Sequence, residues 1–265
     1  MRNKMKRITD IHELRRVQTG ILDEIHAFCT ANDIRYFLAC GTLIGAVRHK
    51  GYIPWDDDLD LYMPRDDYDR FVREFKSASG HCRVLDPEKE EHYFYTFAKV
   101  VDTRTRLVET ETDGYSIGVY VDVFPVDYVT DDYAERRRLF RRKRLLYKIR
   151  RCKMSTRNYL KSPLAYWCYR LLPVSVGALD RILRRMLVRA EPTFTVANLT
   201  EAGPSIKGCM PAKNIEDCVD ILFEGKMYKT MIGYEDYLRR TYGDYMTLPP
   251  ADQRITHSFE AYWIE

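Results

Sequence analysis

The feature that most constrains the fold is an apolar run that ends at a glycine, within residues 36–68. Residues 36–40 are aromatic or apolar and are followed by Gly41, as in a buried strand that ends at a turn. Residues 43–47 tolerate a helix, so the pattern predicts a strand that leads into a short helix. The N–H groups of Gly41 and Thr42 would then lie at a helix N-terminus, which favours an anionic phosphate.

Two aspartates that alternate with leucines follow this unit. Asp58 and Asp60 flank Leu59, and Leu61 comes next. Because side chains alternate along a strand, both carboxylates would share one face and both leucines the other. Two carboxylates this close repel each other unless a cation lies between them, and oxygen ligands suit Mg²⁺ or Mn²⁺. The sequence therefore predicts a metal-dependent site for phosphate chemistry.

The acidic cluster has two other interpretations. A solvated acidic loop is the alternative, although it does not account for the alternation with leucines. A calcium loop of the helix-loop-helix type needs glycine at its sixth position and glutamate at its twelfth. Counted from Asp56, those positions hold Leu61 and Asp67, which excludes a calcium loop.

A third acid lies in an apolar strand further along the chain. Residues 117–124 are predicted as a strand that Pro125 closes, and Asp122 lies between two valines of this strand. A carboxylate in such a strand is costly to bury without a partner. Asp122 is therefore predicted as a third metal ligand beside Asp58 and Asp60, with a lone salt bridge as the alternative.

Basic side chains lie between the glycine turn and the acidic strand. Arg48, His49 and Lys50 are predicted to occupy a loop and to hold phosphate oxygens as charge develops in a transition state. Solvent exposure is the alternative for all three. Near the C-terminus, Arg254 and His257 are candidates to close the site from the other side.

The remaining pattern predicts alternating helices and strands. A helix capped by Asp10 extends to about residue 31 and carries no evident chemistry. Further elements are expected as a helix over 65–75, strands over 93–101 and 104–110, a hairpin around Glu224 and Gly225, and a helix over 234–242 that ends at Gly243.

Positive charge is concentrated in one helical segment, over residues 132–190. The 265-residue chain has a net charge of only +4, yet residues 136–153 hold 11 basic residues and no acidic ones. Basic amphipathic helices suit an anionic membrane surface, and residues 136–188 are predicted to make such a contact. A solvated helical insertion is the equal alternative. Nucleic acid is not expected as a partner, because no aromatic-interleaved motif accompanies the charge.

The cysteines and the hydropathy bear on location. Seven cysteines, odd in number and without a C-x-x-C pair, indicate a reducing compartment rather than a disulfide framework or a zinc site. No uncharged run approaches the roughly 18 residues of a membrane span. No apolar segment typical of a signal peptide follows the basic N-terminus. The expected location is the cytoplasm, with peripheral contact at the inner face of the membrane.

Residues 41–60, which read GTLIGAVRHKGYIPWDDDLD, resemble the signature of the LicD family, phosphotransferases related to the fukutin proteins. The resemblance continues through residues 63–68, 121–127 and 242–250, so it covers most of the chain. It implies an α+β fold, with a nucleotidyltransferase-like mixed β-sheet core flanked by helices.

The pattern along the chain, taken with this resemblance, predicts a division into three parts. Residues 1–131 are the expected catalytic core, and residues 132–190 are the basic helical insertion. Residues 191–265 would form a C-terminal hairpin and helix extension that packs back on the core and closes the site.

The resemblance also implies a reaction. LicD-type enzymes transfer an alcohol phosphate, such as phosphocholine, from a CDP-activated donor to a sugar hydroxyl of a surface glycan, such as lipopolysaccharide or teichoic acid. Asp58 and Asp60 match the metal-binding pair on the second core strand. Asp122 matches the third carboxylate, for which Asp127 competes. The Gly-Thr pair matches the phosphate-facing turn, and CMP would be the leaving group.

The identity of the alcohol depends on side chains beside the motif. A choline ammonium would need an aromatic box, for which Trp55, Tyr52 and Tyr62 are the candidates, with core packing as the alternative. A ribitol or glycerol phosphate would need hydroxyl-binding groups instead. The residues do not choose between these alcohols.

Two other classes of function compete with this expectation. A nucleotide-sugar glycosyltransferase or a true nucleotidyltransferase would also use an Asp-x-Asp metal site, although the Gly-Thr turn argues against the glycosyltransferase. A non-catalytic protein that binds glycan or membrane through the basic helices is the third possibility, and the intact acids argue against it.

Overall fold

The computed structural model describes residues 5–90, 93–109, 115–155, 160–188, 191–200, 206–250, 252, 254 and 259–264. These residues form a nine-stranded mixed sheet, a separate two-stranded hairpin and seven α-helices. The α+β class expected from the sequence is confirmed.

The strands and helices alternate along most of the chain. The strands are β1 (Met5–Ile8), β2 (Phe37–Leu38), β3 (Asp60–Pro64), β4 (Cys82–Leu85), β5 (Ala98–Glu109), β6 (Ser116–Val129), β7 (Thr195–Asn198), β8 (Met210–Pro211), β9 (Cys218–Phe223), β10 (Lys226–Met231) and β11 (Phe259–Ile264). The helices are α1 (Ile11–Ala31), α2 (Cys40–His49), α3 (Arg65–Glu74), α4 (Tyr133–Met154), α5 (Pro163–Leu171), α6 (Val176–Leu187) and α7 (Tyr234–Tyr242).

The central path of the sheet runs β1-β11-β5-β6-β3-β2, with β4 beside β5 and β7 beside β6. Within the described sheet, β3 and β6 form the one parallel pair. Strand β11 pairs with both β1 and β5, and β7 pairs with β6, so the chain after residue 191 adds strands to the same sheet. Strand β6 is central to the sheet because it pairs with three strands, β3 on one edge and β5 and β7 on the other.

The prediction that Pro125 closes its strand is wrong, because β6 continues to Val129. The N–H of Asp122 donates to the carbonyl of Leu59 on the β3 side, 2.8 Å away. Since N–H groups alternate between the two edges of a strand, position 125 faces the other edge. On that edge the pairing with β5 ends at Val123 and the pairing with β7 begins at Val126. A proline in this gap leaves no ladder bond unmade.

The two strands predicted over 93–101 and 104–110 are one strand, β5, with a shift of register between Asp102 and Leu107. The prediction is wrong for residues 93–97, because the strand begins at Ala98. Thr105 fills the irregularity. Its hydroxyl donates to the Asp102 carbonyl and accepts from the Val119 N–H, both at 2.8 Å. The side chain thus supplies hydrogen bonds that the ladder lacks there, and the strand continues through what the sequence indicates as a break.

Several local predictions are confirmed. The Asp10 carboxylate caps α1 by accepting from the His12 N–H at 2.9 Å. The hairpin of β9 and β10 turns at Glu224 and Gly225. Helix α7 ends at Gly243, whose φ of 70° is a conformation that favours glycine.

The described residues of the basic segment form three helices. Leu183 and Leu187 of α6 and Tyr147 of α4 pack with Val129 and Leu199 in a small cluster apart from the main core. Across the ranges described above, no helix combines the length and the apolar character needed to cross a membrane. No disulfide joins the seven cysteines, all of which lie in the described ranges.

Candidate active site

Three charged side chains lie side by side across the centre of the sheet. Asp60 on β3 is the register partner of Asp122 on β6, and Asp122 is in turn the partner of Lys99 on β5. Residues paired in this way project from the same face of a sheet. The sequence predicted that the two acids would converge, and the strand register brings them together. Lys99 was not foreseen.

The Lys99–Asp122 pair is an ion pair inside the protein. The Lys99 ammonium donates to Asp122 Oδ1 at 2.6 Å, and the lysine is 1% exposed. The same ammonium lies 3.4 Å from the centre of the Tyr120 ring and 4.0 Å from that of Tyr95. Both rings present their negative faces to the cation, which replaces part of its lost hydration.

Burial sets the titration of this pair. Loss of hydration raises the pKa of Asp122 and lowers the pKa of Lys99, while each partner opposes the shift in the other. The charges of Asp60 and Asp58 also act to raise the pKa of Lys99. The buried cation is therefore in contact with Asp122 and is also influenced by the charges of Asp60 and Asp58.

Asp58 lies outside the strand in which it was predicted, because β3 begins at Asp60. The alternation itself holds: Leu59 and Leu61 are fully buried, and both aspartates are partly exposed. The Asp60 N–H donates to the Thr42 hydroxyl at 2.8 Å, and the Asp60 carbonyl accepts from the Ala39 N–H at 3.0 Å. The start of β3 is thus attached to the N-terminus of α2.

The glycine turn lies within the first turn of α2, which begins at Cys40 rather than after Thr42. A methyl group on Gly41 would lie 2.6 Å from Asp56 Oδ2, so the absence of a side chain leaves room for this carboxylate. Thr42 is buried and uses its hydroxyl to hold Asp60. Gly41 and Thr42 therefore position two aspartates beside the helix N-terminus, and their expected contact with phosphate stays a prediction.

The loop before the acids is held by α1, where the sequence indicated no chemistry. The Arg15 guanidinium donates to the carbonyls of Ile53, Pro54 and Asp56 at 2.6 to 3.2 Å. The buried Gln18 amide donates to the Asp57 carbonyl at 2.7 Å. These bonds fix the backbone that leads into Asp58.

The three basic residues predicted in a loop occupy the end of α2 instead. Arg48 and His49 form its last turn, and Lys50 caps it with a left-handed φ of 60°. Arg48 donates to His49 Nε2 at 2.9 Å and to the Tyr245 carbonyl at 2.7 Å. Lys50 bonds back to the Val47 carbonyl at 3.2 Å. Arg48 thus ties the end of the helix to the C-terminal segment, and Lys50 satisfies a carbonyl of the last helical turn.

Trp55 and Arg254 meet beside this helix end. The Arg254 guanidinium lies 4.9 Å from the centre of the Trp55 ring. Burial, and next the charge of Arg254, lower the pKa of Arg48. The C-terminal segment therefore reaches this side of the molecule through Arg254. His257, also predicted to close the site, lies outside the described residues.

The aromatic residues proposed for a choline box do not share one open pocket. Tyr52 is buried and donates to Gln18, and Tyr62 is buried against Phe124 and Tyr237. Among the three candidates, Trp55 alone keeps partial exposure.

Asp127, the competitor for the third carboxylate, is engaged elsewhere. It is separated from Asp122 by five positions, so the two side chains lie on opposite faces of β6. Arg65 binds both oxygens of Asp127 at 2.7 Å. This geometry favours Asp122 over Asp127 as the acid beside Asp60.

The donor set suits a hard divalent cation in its chemistry, since it consists of carboxylate oxygens. Among the described residues, however, no three His, Cys, Asp or Glu side chains are close enough to hold an ion. Lys99 already supplies one positive charge to Asp122. Metal binding by Asp58, Asp60 and Asp122 therefore stays a prediction that requires the carboxylates to close around the ion.

Comparison with known proteins identifies the family. A family model described as LicD/FKTN/FKRP, nucleotidyltransferase domain, matches residues 33–161. The lipopolysaccharide cholinephosphotransferase LicD of Haemophilus influenzae is 33% identical over 269 residues, which cover 97% of this chain and 99% of that protein. The chain belongs to the LicD family. The resemblance seen in residues 41–60 is thereby confirmed.

Shorter matches cover part of the same LicD family chain. An uncharacterised protein of Rickettsia typhi is 41% identical over 59 residues, which is 21% of this chain and 19% of that protein. An uncharacterised protein of Rickettsia prowazekii is 47% identical over 47 residues, or 18% of each chain.

Three residues of this LicD family chain lie at the site without a predicted role: Lys99, Arg15 and Gln18. Lys99 had a signal in the sequence, because it interrupts an apolar strand as Asp122 does. Two opposite charges in two apolar strands indicate a cross-strand pair. Arg15 and Gln18 had no such signal, since their bonds go to backbone carbonyls.

Proposed function

We propose that this protein transfers phosphocholine from CDP-choline to a sugar hydroxyl of a cell-surface glycan, in a reaction that needs Mg²⁺ or Mn²⁺. The observation that carries the proposal is the row of Asp60, Asp122 and Lys99 across the sheet, in a chain of the LicD family. The relative in Haemophilus influenzae, a lipopolysaccharide cholinephosphotransferase by name, supports choline as the alcohol and lipopolysaccharide as the glycan.

The proposed reaction is a substitution at phosphorus. The acceptor sugar oxygen forms a bond to the phosphorus that bears the choline. The bond from this phosphorus to the bridging diphosphate oxygen breaks, and CMP leaves with that oxygen. The hydroxyl proton passes to a base, so that no other co-reactant is required.

Asp122 is suited to act on the acceptor. Lys99 donates to Oδ1 of Asp122. This bond restricts the orientation of the carboxylate and therefore the position of its second oxygen, Oδ2. Burial raises the pKa of Asp122, which makes it a stronger base than an ordinary carboxylate. In this proposal Oδ2 receives the proton of the acceptor hydroxyl or helps to hold the ion, and Lys99 keeps the carboxylate in position.

Asp58 and Asp60 are the proposed ligands of the divalent ion. Such an ion, when bound, neutralises diphosphate charge and polarises the phosphorus. The chain's own contribution is orientation. Thr42 fixes Asp60, and Arg15 and Gln18 fix the loop before Asp58. In this proposal the first-turn N–H groups of α2 bind anionic oxygen of the donor.

A membrane location accompanies the proposal, because lipopolysaccharide is anchored in lipid. We propose that the enzyme works from the cytoplasmic side, in peripheral contact with an anionic membrane through residues 136–188. The positive charge of this segment supports the contact.

The test is a donor screen with the purified full-length chain. CDP-choline, CDP-ribitol, CDP-glycerol and UDP-sugars would each be supplied with Mg²⁺ and a lipopolysaccharide acceptor. We expect CMP release and choline on the glycan with CDP-choline, and loss of both when EDTA removes the ion. Release of UDP from a sugar donor, or of diphosphate from a nucleoside triphosphate, would replace the proposal by a glycosyltransferase or a nucleotidyltransferase.

Substitution of the acids tests the site itself. Asp58→Asn and Asp60→Asn should each lower CMP release by roughly 10³-fold or more, since preorganised electrostatic groups are worth about this much. Asp66→Asn is the matched control, because Asp66 is an exposed acid at the start of α3. Rates like those of the unmodified protein in either of the first two variants would remove that residue from the mechanism.

A further inference from the structure

Helix α5 presents its apolar side chains outward. Leu164, Trp167 and Leu171 follow one another at intervals of three and four residues and therefore lie on one face. Their exposed fractions are 75%, 54% and 74%. Leu172, directly after the helix, is also exposed. A helix of a water-soluble surface normally shows the opposite arrangement.

The polar side chains of α5 and its neighbour are used to fasten it. The Tyr166 hydroxyl donates to the Ser155 carbonyl at 2.8 Å. Arg170 donates to the carbonyls of Cys152 and Ser155 at 2.9 and 2.8 Å. Lys153 on α4 donates to the Leu172 carbonyl at 2.7 Å. The helix is thus attached by its polar face, which fixes the apolar face toward solvent.

The part of the chain that contains α5 is strongly cationic. Residues 136–179 contain 14 lysines and arginines and no aspartate or glutamate. On α4, Arg137, Arg141, Arg144 and Lys148 are exposed and recur at intervals of four, three and four residues, so they form one stripe. Lys161 is exposed one turn before Leu164.

We propose that α5 inserts Leu164, Trp167 and Leu171 into the interface of an anionic lipid bilayer, while the cations of α4 contact the lipid headgroups. This proposal rests on the proposed function only in its biological setting, because the surface is defined without the acids. Exposed aromatic and aliphatic side chains in a segment rich in lysine and arginine are the composition that binds such interfaces.

Other occupants match this surface less well. A second copy of the chain would bring an equally cationic surface against it, so the charges would repel. Nucleic acid would pair with the arginines but would leave the leucines exposed to water. A bilayer with anionic headgroups satisfies both the charges and the apolar face.

The proposal is tested by binding of the full-length protein to vesicles. Vesicles of phosphatidylglycerol and phosphatidylcholine would be compared with phosphatidylcholine alone, by co-sedimentation at low and high salt. We expect binding to the anionic vesicles that weakens as salt rises, together with a blue shift of tryptophan emission that is absent in Trp167→Phe.

Two matched variants separate the apolar and the ionic contributions. Combined serine substitution of Leu164, Trp167 and Leu171 should weaken vesicle binding at least tenfold, and combined glutamine substitution of Arg137, Arg141 and Arg144 should remove its salt dependence. Serine at Met227 and Ile232, which are exposed on the hairpin and just after it, should leave binding unchanged.

Each outcome bears on the proposal. Equal binding to neutral vesicles, absence of binding, or a dimer held by the α5 face would overturn it. CMP release with a soluble sugar acceptor serves as the separate readout of catalysis, and it should be the same in the α5 variant and the unmodified protein. If the unmodified protein binds the vesicles but releases no CMP, the proposed function is contradicted and the membrane proposal is not.

Discussion

A lysine ammonium at 1% exposure requires a partner, and the partner here is an acid of the candidate site. The cost of burying two charges is offset only when their geometry is good and their other hydrogen-bonding capacity is met. For Lys99, the rings of Tyr120 and Tyr95 replace part of the lost hydration by contact with the ammonium. The arrangement is difficult to explain as packing alone, because two apolar residues would fill the same space at lower cost. Its consequence is a carboxylate held in one orientation beside Asp60.

Replacing this lysine tests its role as a positioning residue. Lys99→Met leaves Asp122 buried without its cation, so we expect about 3 kcal/mol of lost stability and roughly a 10²-fold fall in kcat. Lys99→Arg keeps the charge and should recover part of kcat. Chemical denaturation and steady-state kinetics measure the two effects separately. A Lys99→Met enzyme with normal kcat would show that the pair is structural only.

Gly41 provides a second test at single-residue resolution. In Gly41→Ala the new methyl group would meet Asp56 Oδ2 at 2.6 Å, so that carboxylate must move away from the start of α2. We expect at least a tenfold loss of CMP release with little change in melting temperature. Gly20→Ala on α1 is the matched control, because nothing lies within 4 Å of the added group. It should stabilise the fold by about 0.5–1 kcal/mol without affecting activity.

At the scale of elements, α1 acts as the support of the loop that carries Asp58. The Arg15 guanidinium binds three backbone carbonyls of this loop, and its Cζ atom lies 4.7 Å from the centre of the Tyr52 ring. A planar fork of donors suits this task, because its hydrogen bonds are fixed relative to one another.

A substitution that removes the Arg15 guanidinium but keeps an unbranched side chain tests this role of α1. Arg15→Met should lower kcat at least tenfold, because the backbone before Asp58 loses its anchor, and substrate KM should change less. Arg16→Met, at the exposed neighbouring position, is the control and should behave as the unmodified enzyme. The prediction is contradicted if both variants have the same kinetics.

Strand patterns explain which elements could be predicted. The alternation around Asp122 and around Asp58 and Asp60 indicated which residues are buried, and the leucines and valines between them are buried. The predicted start of α2 lies three residues after the observed one, because nothing in an apolar run marks the point at which a strand becomes a helix. Strand β6 continues past Pro125 because β5 pairs with it only as far as Val123 and β7 pairs with it only from Val126. The sequence of β6 alone does not show where its neighbours end.

The same limit applies to the candidate site. An acid within an apolar strand can be recognised from its sequence neighbours, and the valines beside Asp122 identify it in this way. The choice between Asp122 and Asp127 depends on the face of the sheet and on Arg65, which lies 62 positions away from Asp127 in sequence. The hydrogen bonds of Arg15 to the loop could not be predicted, because every residue has a backbone carbonyl and the sequence does not show which ones a side chain binds.

For the molecule as a whole, stability should depend on pH through a histidine far from the acids. His26 on α1 shares a hydrogen bond of 2.7 Å with the Tyr36 hydroxyl, and its ring edge packs against Tyr228 of β10. It thereby joins the long helix to the segment before β2 and to the hairpin. Burial and the charge of Lys229 lower the pKa of His26, against the opposing effects of Asp23 and Asp220.

The sign of the effect follows from this lowered pKa. When the pH falls below the ordinary histidine value of about 6.5, the unfolded chain binds a proton that the folded chain does not yet bind. Folding stability therefore decreases from about pH 6.5 down to the lowered pKa, and this contribution is constant below it. His26→Gln retains a hydrogen-bonding group for Tyr36 but cannot titrate. Melting temperatures between pH 7.5 and 5.5 should fall less in His26→Gln than in the unmodified protein or in His12→Gln, which alters an exposed histidine of the same helix. Parallel curves for all three proteins would assign the acid sensitivity of the fold to other groups.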